Sequence, residues 1–282
     1  MWQRRYDDSS SLYLIPTPIG NMEDMTYRAV KVLEMVDVIF SEDTRVTQNL
    51  LNYFNIKKKL ISLHDHNEEQ VKDKVLSYLE DKMNVGIVTD RGTPIISDPG
   101  YKTVKYVSDK GYNVVALPGA CAFVPALIAS GLSPQPFTFY GFLDSKQEKK
   151  RKELENLKFN TNTLIFYEAP HRIYKTMELM LEVFGDRIVS LSREISKKYE
   201  SVYRGKISLL LPTLENIKGE FVVVVSGNND TELVGEDRSI VDQVDFYIKN
   251  DISTMDAIKM VAKDNNMKKS EVYDLYHHKE DI

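Results

Sequence analysis

Val85-Gly86-Ile87-Val88-Thr89-Asp90-Arg91-Gly92-Thr93-Pro94-Ile95-Ile96-Ser97-Asp98-Pro99-Gly100-Tyr101 begins as a short apolar run and ends as a loop dense in glycine, proline and aspartate. The run reads as a buried strand. Glycines that admit positive φ and prolines that stiffen the path make the remainder a ligand-sized loop. Asp98-Pro99 is then expected to start a helix, with Asp98 as its N-cap. Alone, the stretch is equally an ordinary strand-to-helix connection. Its weight comes from repetition along the chain.

Upstream, Ser11 to Ile15 is a β run that breaks at Pro16-Thr17-Pro18-Ile19-Gly20-Asn21, and Met25 to Val36 carries helical apolar spacing. Val36 to Phe40 reads as a strand, and Ser41-Glu42-Asp43-Thr44-Arg45 caps a helix running to about Phe54. A strand at Leu60 to Leu63, a helix at Glu68 to Leu79, a helix through Val104 and Val107, and a strand at Val114 to Leu117 complete the alternation. The fold class is therefore α/β with a mostly parallel sheet. The loops Pro16–Asn21, Asp90–Gly100 and Pro118–Cys121 are expected along one rim, where open α/β sheets bind ligands.

Downstream the pattern restarts. After an apolar helix from Ala120 to Ser130 come a strand at Phe137 to Leu143, a charged helix at Gln147 to Leu157, a strand at Leu164 to Tyr167 and a helix at Ile173 to Phe184. Ile188 to Leu191 and Phe221 to Val225 are strands, with Ile207 to Leu211 a strand or short helix between them. Asn228 to Asp237 turns acidic and aperiodic, and three short helical patterns follow at Ile240 to Ile248, Thr254 to Ala262 and Ser270 to His277. The organisation so read is an N-terminal arm at 1–11, α/β domains at 12–119 and 120–228, a linker at 229–237, and a helical tail at 238–282. The last two helices suit either a helix-turn-helix that offers Lys268 and Lys269 to nucleic acid or a cap on the second domain.

Length and composition set limits. The 282 residues suit two ordinary domains, and 42% hydrophobic with 28% charged residues argues against disorder or a fibre. No apolar run reaches bilayer length and the N-terminus lacks a secretion-signal core, so a cytoplasmic location and no membrane partner are expected. One cysteine, Cys121, leaves no internal disulfide. A net charge of −5 confines any nucleic-acid contact to local patches such as Lys146 to Lys152, Lys197-Lys198 near Arg204, or Lys268-Lys269. His64 and His66 are too few ligands for zinc, and His277-His278 reads as surface, so no metal is expected.

The loops carry neither GxGxxG nor a Gly-rich run ending in Gly-Lys-Ser/Thr, so the usual cradle for a polyphosphate is missing. Loops of proline, aspartate and threonine suit an adenosine-type cofactor with a charged amino-acid end instead. In the second domain Tyr167-Glu168-Ala169-Pro170-His171-Arg172 repeats the strand, proline loop and helix design. It puts a carboxylate, an imidazole and a guanidinium at the expected cleft.

These stretches together, with Asp24, Leu117-Pro118-Gly119-Ala120 and Arg193-Glu194-Ile195, resemble the ribosomal RNA small subunit methyltransferase I family of the tetrapyrrole methylase superfamily. The matching motifs run in order from residue 16 to about residue 227. Two positions depart from the family pattern: Arg91, where a small residue is usual, and Asp144, where proline usually follows Gly-Phe-Leu. The resemblance implies two α/β domains, a homodimer, and S-adenosyl-L-methionine bound in the interdomain cleft by Thr17, Pro18, Asp98, Gly100, Tyr101, Ala120 and Cys121. It also implies 2′-O-methylation of a cytidine ribose in the decoding region of small-subunit (16S) ribosomal RNA, within the 30S particle. Two alternatives stay open: a tetrapyrrole C-methyltransferase, and a non-catalytic ribosome-assembly factor on the same fold. A ribose hydroxyl is a poor nucleophile near neutral pH, so Glu168, His171 and Asp43 are candidates to assist it. Each has a structural alternative: Glu168 paired with Arg172, Asp43 as a helix cap, and His171 on a backbone carbonyl.

Overall fold

The structure is a computed structural model that describes residues 9–215, 217–228, 239–249 and 252–277. Most of the expected arm, the whole expected linker at 229–237, and His278 lie outside the described residues.

The first half alternates strand and helix: β1 (Ser11–Leu14), α1 (Tyr27–Met35), β2 (Val38–Ser41), α2 (Thr44–Tyr53), β3 (Lys59–Ser62), α3 (Glu68–Glu80), β4 (Val85–Val88), α4 (Tyr101–Asp109) and β5 (Asn113–Ala116). All pairings in its sheet, of order β3-β2-β4-β1-β5, are parallel. Every residue of β2 and β4 is buried, as a strand covered on both faces requires. One face packs Leu33, Ile39 and Leu51, and the other packs Phe40, Val75, Leu79 and Val107. Helix α1 thus follows β1 onto one face, while α4 follows β4 onto the other. Neighbouring strands whose connections part in this way define a switch point, and the loops after β1 and β4 open there. They are stitched together by an antiparallel bridge in which the backbones of Thr17 and Gly92 exchange hydrogen bonds of 2.9 and 3.0 Å.

Asp98 does not cap α4. The helix begins at Tyr101 with Gly100 at the cap position, and the free backbone N–H of Thr103 is taken by the buried Glu68 carboxylate of α3 at 3.0 Å. Gly100 has φ +126, and a Cβ there would sit 3.2 Å from Ile95, so glycine alone fits the approach to the helix.

The second half comprises α5 (Phe123–Ser130), β6 (Phe137–Phe142), α6 (Gln147–Leu157), β7 (Thr163–Glu168), α7 (Ile173–Phe184), β8 (Ile188–Arg193), β9 (Ser201–Lys206), the short α8 (Ile207–Leu210) and β10 (Phe221–Val225). Its sheet order is β6-β7-β10-β8-β9. Among the described residues parallel pairings outnumber antiparallel ones across the two sheets, but this second sheet is mixed. Only β6 and β7 are parallel, and β10 runs antiparallel to both β7 and β8. Helix α5 packs Ala126 and Leu127 on Ile165, Val222 and Val224, while Phe166, Met177 and Phe184 fill the other side.

Residues up to Asn228 form one compact unit, and the remainder forms another. In the latter, α9 (Ile240–Lys249), α10 (Thr254–Asp264) and α11 (Lys269–His277) enclose a small core of Val244, Ile258, Val261 and Val272. Ser253, one residue ahead of Thr254, caps α10. No helix among the described residues is long and apolar enough to cross a membrane.

Candidate functional site

The loops that follow β1, β4, β5 and β7 converge with the segment after β8 on a cavity of about 490 Å³. Ile19, Ile96, Cys121, Tyr167, Ile195 and Val222 give it an apolar wall, Asp98, Glu194, Lys197, Arg91 and Glu220 bring charge to it, and His171 adds an imidazole. The size and make-up are those of a small-molecule site. The backbone is strained at the cavity wall and beside it, Glu194 lying in the wall and Ile95 and Ser196 next to wall residues. Ile95 (φ +79), Glu194 (φ +52) and Ser196 (φ +69) are left-handed without being glycine, a conformation that gathers at functional sites.

Of the residues expected to hold a cofactor, Asp98 and Cys121 line the cavity. Thr17 and Pro18 are buried behind Ile19, with the Thr17 hydroxyl donating to the Thr89 carbonyl at 3.1 Å. Ala120 adjoins Cys121 and accepts from the Thr93 hydroxyl at 2.9 Å. Gly100 and Tyr101 are not part of the wall: Gly100 packs on Ile95, and Tyr101 is 66% exposed on α4.

Asp98 has moved well away from ordinary carboxylate behaviour. Burial lifts it to about 6, and the nearby charges of Glu42 and Asp90 push the same way, while its bond with Thr89 opposes them. A cation brought to this place would favour its ionised form. The Tyr167 phenol is also raised by burial, with Cys121 beside it, so it stays a neutral hydroxyl. His64 and His66 stand with Glu42 and Asp98 around an adjoining depression, their rings 6.0 Å apart. Among the described residues no group of three or more side chains is arranged to hold a metal.

The three proposed activators separate clearly. Asp43 is outside the cavity wall; it caps α2 by accepting from the Arg45 N–H at 2.8 Å, and the Arg45 side chain holds it down at about 2. Glu168 borders the cavity, but its carboxylate turns inward and is saturated. It accepts from the Thr176 hydroxyl at 2.5 Å and the Ala169 N–H at 2.9 Å, and lies 3.4 Å from Lys150 Nζ and 3.2 Å from Arg172 Nε. Arg172 in turn donates to the carbonyls of Leu143 and Asp144. This cluster pins the loop that presents His171, which is exposed on the cavity wall. Lys150 belongs to the Lys146 to Lys152 run named as a local patch for nucleic acid, but it is 1% exposed beneath that loop.

Sequence reading named Arg91, Glu194 and Lys197 separately but did not join them with Glu220 into a rim. Arg91 pairs with Glu220 at 2.5 Å, and Lys197 bridges Glu194 at 3.0 Å and Glu220 at 2.9 Å. Ser196 also reaches across to hydrogen-bond Asp24, and the stem of Lys197 lies over Gly20. Arg91 therefore does not plug the cavity. The available signals were Arg91 as an odd residue in its loop, the Arg193-Glu194-Ile195 motif and the basic Lys197-Lys198 pair.

As a host, the cavity offers more carboxylates than cations over an apolar wall. That donor set fits a small molecule with a flat apolar body and positive charge.

Comparison with known proteins agrees. The tetrapyrrole (corrin/porphyrin) methylase family profile matches residues 11–210. The ribosomal RNA small subunit methyltransferase I of Bacillus subtilis is 46% identical over 280 residues, covering 97% of this chain and 96% of its own. Its namesake in Escherichia coli O157:H7 is 41% identical over 239 residues, covering 82% and 84%. A uroporphyrin-III C-methyltransferase from Thermus thermophilus shares the fold at TM-score 0.56 and 21% identity, covering 77% of this chain and 94% of that one. A structure of such an enzyme from the same organism complexed with S-adenosylhomocysteine has TM-score 0.55 at 17% identity, covering 77% and 97%. On the family profile and the near-full-length identity, the chain belongs to the tetrapyrrole methylase family, in its ribosomal RNA small subunit methyltransferase I branch.

Proposed function

We propose that this chain transfers a methyl group from S-adenosyl-L-methionine to the 2′-hydroxyl of a cytidine ribose in the decoding region of small-subunit ribosomal RNA. In this reading it works in the cytoplasm, as a homodimer, on the 30S particle. The observation that carries the reading is the meeting of the motif loops at one cavity, in a chain 46% identical along nearly its whole length to a relative named for that RNA.

When bound, S-adenosyl-L-methionine supplies an electrophilic methyl group on a sulfonium. Asp98, Cys121 and the wall residues Ile19, Ile195 and Val222 would hold it, with the Asp98 carboxylate stabilising its positive charge. Positioning the acceptor hydroxyl supplies much of the rate in an in-line displacement. His171 takes the hydroxyl proton, while Glu168 holds the loop and does no proton transfer. The Arg91 departure does not favour an assembly factor without a donor, because its guanidinium is engaged by Glu220 at the rim.

Ribose-methylation mapping of ribosomal RNA from cells with and without the protein tests the substrate, and calorimetry with the donor tests the cofactor. Donor binding absent at millimolar concentration removes the enzyme reading. With both substrates saturating, His171→Ala is expected to lower single-turnover methylation about 10²-fold, the usual size of a lost acid–base contribution, at an unchanged melting temperature. Glu168→Gln should instead lower the melting temperature, because it leaves Lys150 buried without its counter-charge. A His171→Ala variant at the native rate places catalysis in positioning alone.

A further inference from the structure

Gly141-Phe142 ends β6, the edge strand of the second sheet. In a regular strand Phe139 and Phe142, three residues apart, point to opposite faces. Here both meet Tyr167, with ring centroids 5.1 and 5.5 Å away, whereas Tyr140 meets Phe166 on the other face. A bulge is the cause. The pairing with β7 slips between Phe139 and Gly141, and Gly141 takes φ +84, which glycine accepts without strain. The extra residue re-aims Phe142 onto the cavity wall, where it remains 53% exposed.

A bulge that turns an aromatic ring onto the cavity wall and leaves about half of the residue exposed suits a flat partner. Apolar wall residues further in, such as Phe221 and Val222, are buried. Phe142, on the same wall, is half exposed to solvent, where a large substrate can reach it. Proteins that act on RNA hold unstacked bases on aromatic rings, and every base offers a π-face to such a ring. A ribose hydroxyl can enter the cavity only if the base attached to that ribose is parked beside it.

We propose that Phe142 is the platform on which the base of the target nucleotide stacks, setting the adjoining ribose against the cavity. The proposal rests on the RNA reading above. It makes Phe142 a substrate-contacting residue that acts on RNA affinity, with no part in holding the donor.

The test uses the full chain, 30S particles and saturating S-adenosyl-L-methionine, with Phe142→Ala and Phe142→Trp. Phe142→Ala is expected to raise the half-saturating concentration of 30S particles about tenfold or more while leaving S-adenosylhomocysteine affinity within twofold. Phe142→Trp, which keeps a stacking surface, should restore the native value. An unchanged half-saturation in Phe142→Ala overturns the proposal. A parallel loss of S-adenosylhomocysteine affinity overturns it in favour of a donor-side platform. A change in sedimenting mass overturns it in favour of packing against a second copy. Native protein that binds the donor but leaves 30S particles unmethylated overturns the RNA reading and the platform with it, and this control tells the two failures apart.

Discussion

Asp98 is a carboxylate that burial lifts to about 6, at the wall of a cavity proposed to receive a cation. Its folded value lies above the usual 3.8, so the free protein gains stability from the protonated acid at low pH. That gain is lost as pH rises from about 4 to about 6. Donor binding has the opposite sense, because the ionised form is the one that attracts a sulfonium. Affinity should therefore rise with pH, about tenfold per unit below 6 and level above it. Asp98→Asn should flatten that profile and lower affinity at pH 7.5 by about ten- to a hundredfold, the size of one charge-assisted hydrogen bond. Calorimetric titrations from pH 5 to pH 8 measure both. A native profile that is flat across this range would show that Asp98 does not meet the charge.

At the scale of elements, periodicity located most helices and strands because each carries its own apolar face. Gln147–Leu157, Ile173–Phe184 and Phe221–Val225 came out with the expected bounds. Strand β9, Ser-Val-Tyr-Arg-Gly-Lys, was missed because it is an edge strand with no buried residue, so nothing in its pattern distinguishes it from a loop. With it went the antiparallel β8–β9 pair, and the antiparallel direction of β10, which makes the second sheet mixed, is likewise not encoded in local patterning. Lys150 was misplaced for a related reason. A lysine among charged neighbours looks solvated, and only the distant Glu168 and Thr176 explain its burial. In the site, motif loops announced Asp98, His171 and Glu194, whereas the pairing of Glu194 and Glu220 through Lys197 depends on tertiary approach. Helices α10 and α11 leave Lys268 and Lys269 exposed at their turn, as the helix-turn-helix reading needs. If these lysines meet phosphate, changing both to alanine should reduce the slope of log affinity for 30S particles against log salt by about one to two, with donor affinity unchanged. An unaltered slope assigns the helices to packing.

Across the whole of the larger unit, two α/β halves share one cavity, and an ion network spans its mouth. Arg91 comes from the loop after β4, while Lys197 and Glu220 come from the second half. Arg91 and Glu220 are 54% and 59% exposed in their side chains, so the pair contributes less than about 1 kcal/mol to folding. Its greater consequence is for the charge seen by a ligand entering beside it. S-adenosyl-L-methionine carries one more positive charge than S-adenosylhomocysteine. Arg91→Ala removes one positive charge from the rim while Glu220 keeps its Lys197 partner, and should raise affinity for the charged donor. Glu220→Ala leaves Arg91 and Lys197 facing the mouth with one fewer carboxylate, and should lower it. Both effects should be severalfold at about 10 mM salt and vanish near 1 M, where the Debye length falls from about 30 Å to about 3 Å. S-adenosylhomocysteine should show neither. Titrations of the two ligands with each variant at the two salt concentrations give the sign directly, with melting temperatures near native throughout. Equal responses of the charged and neutral ligands would mean that the network shapes the mouth without sensing the charge that passes it.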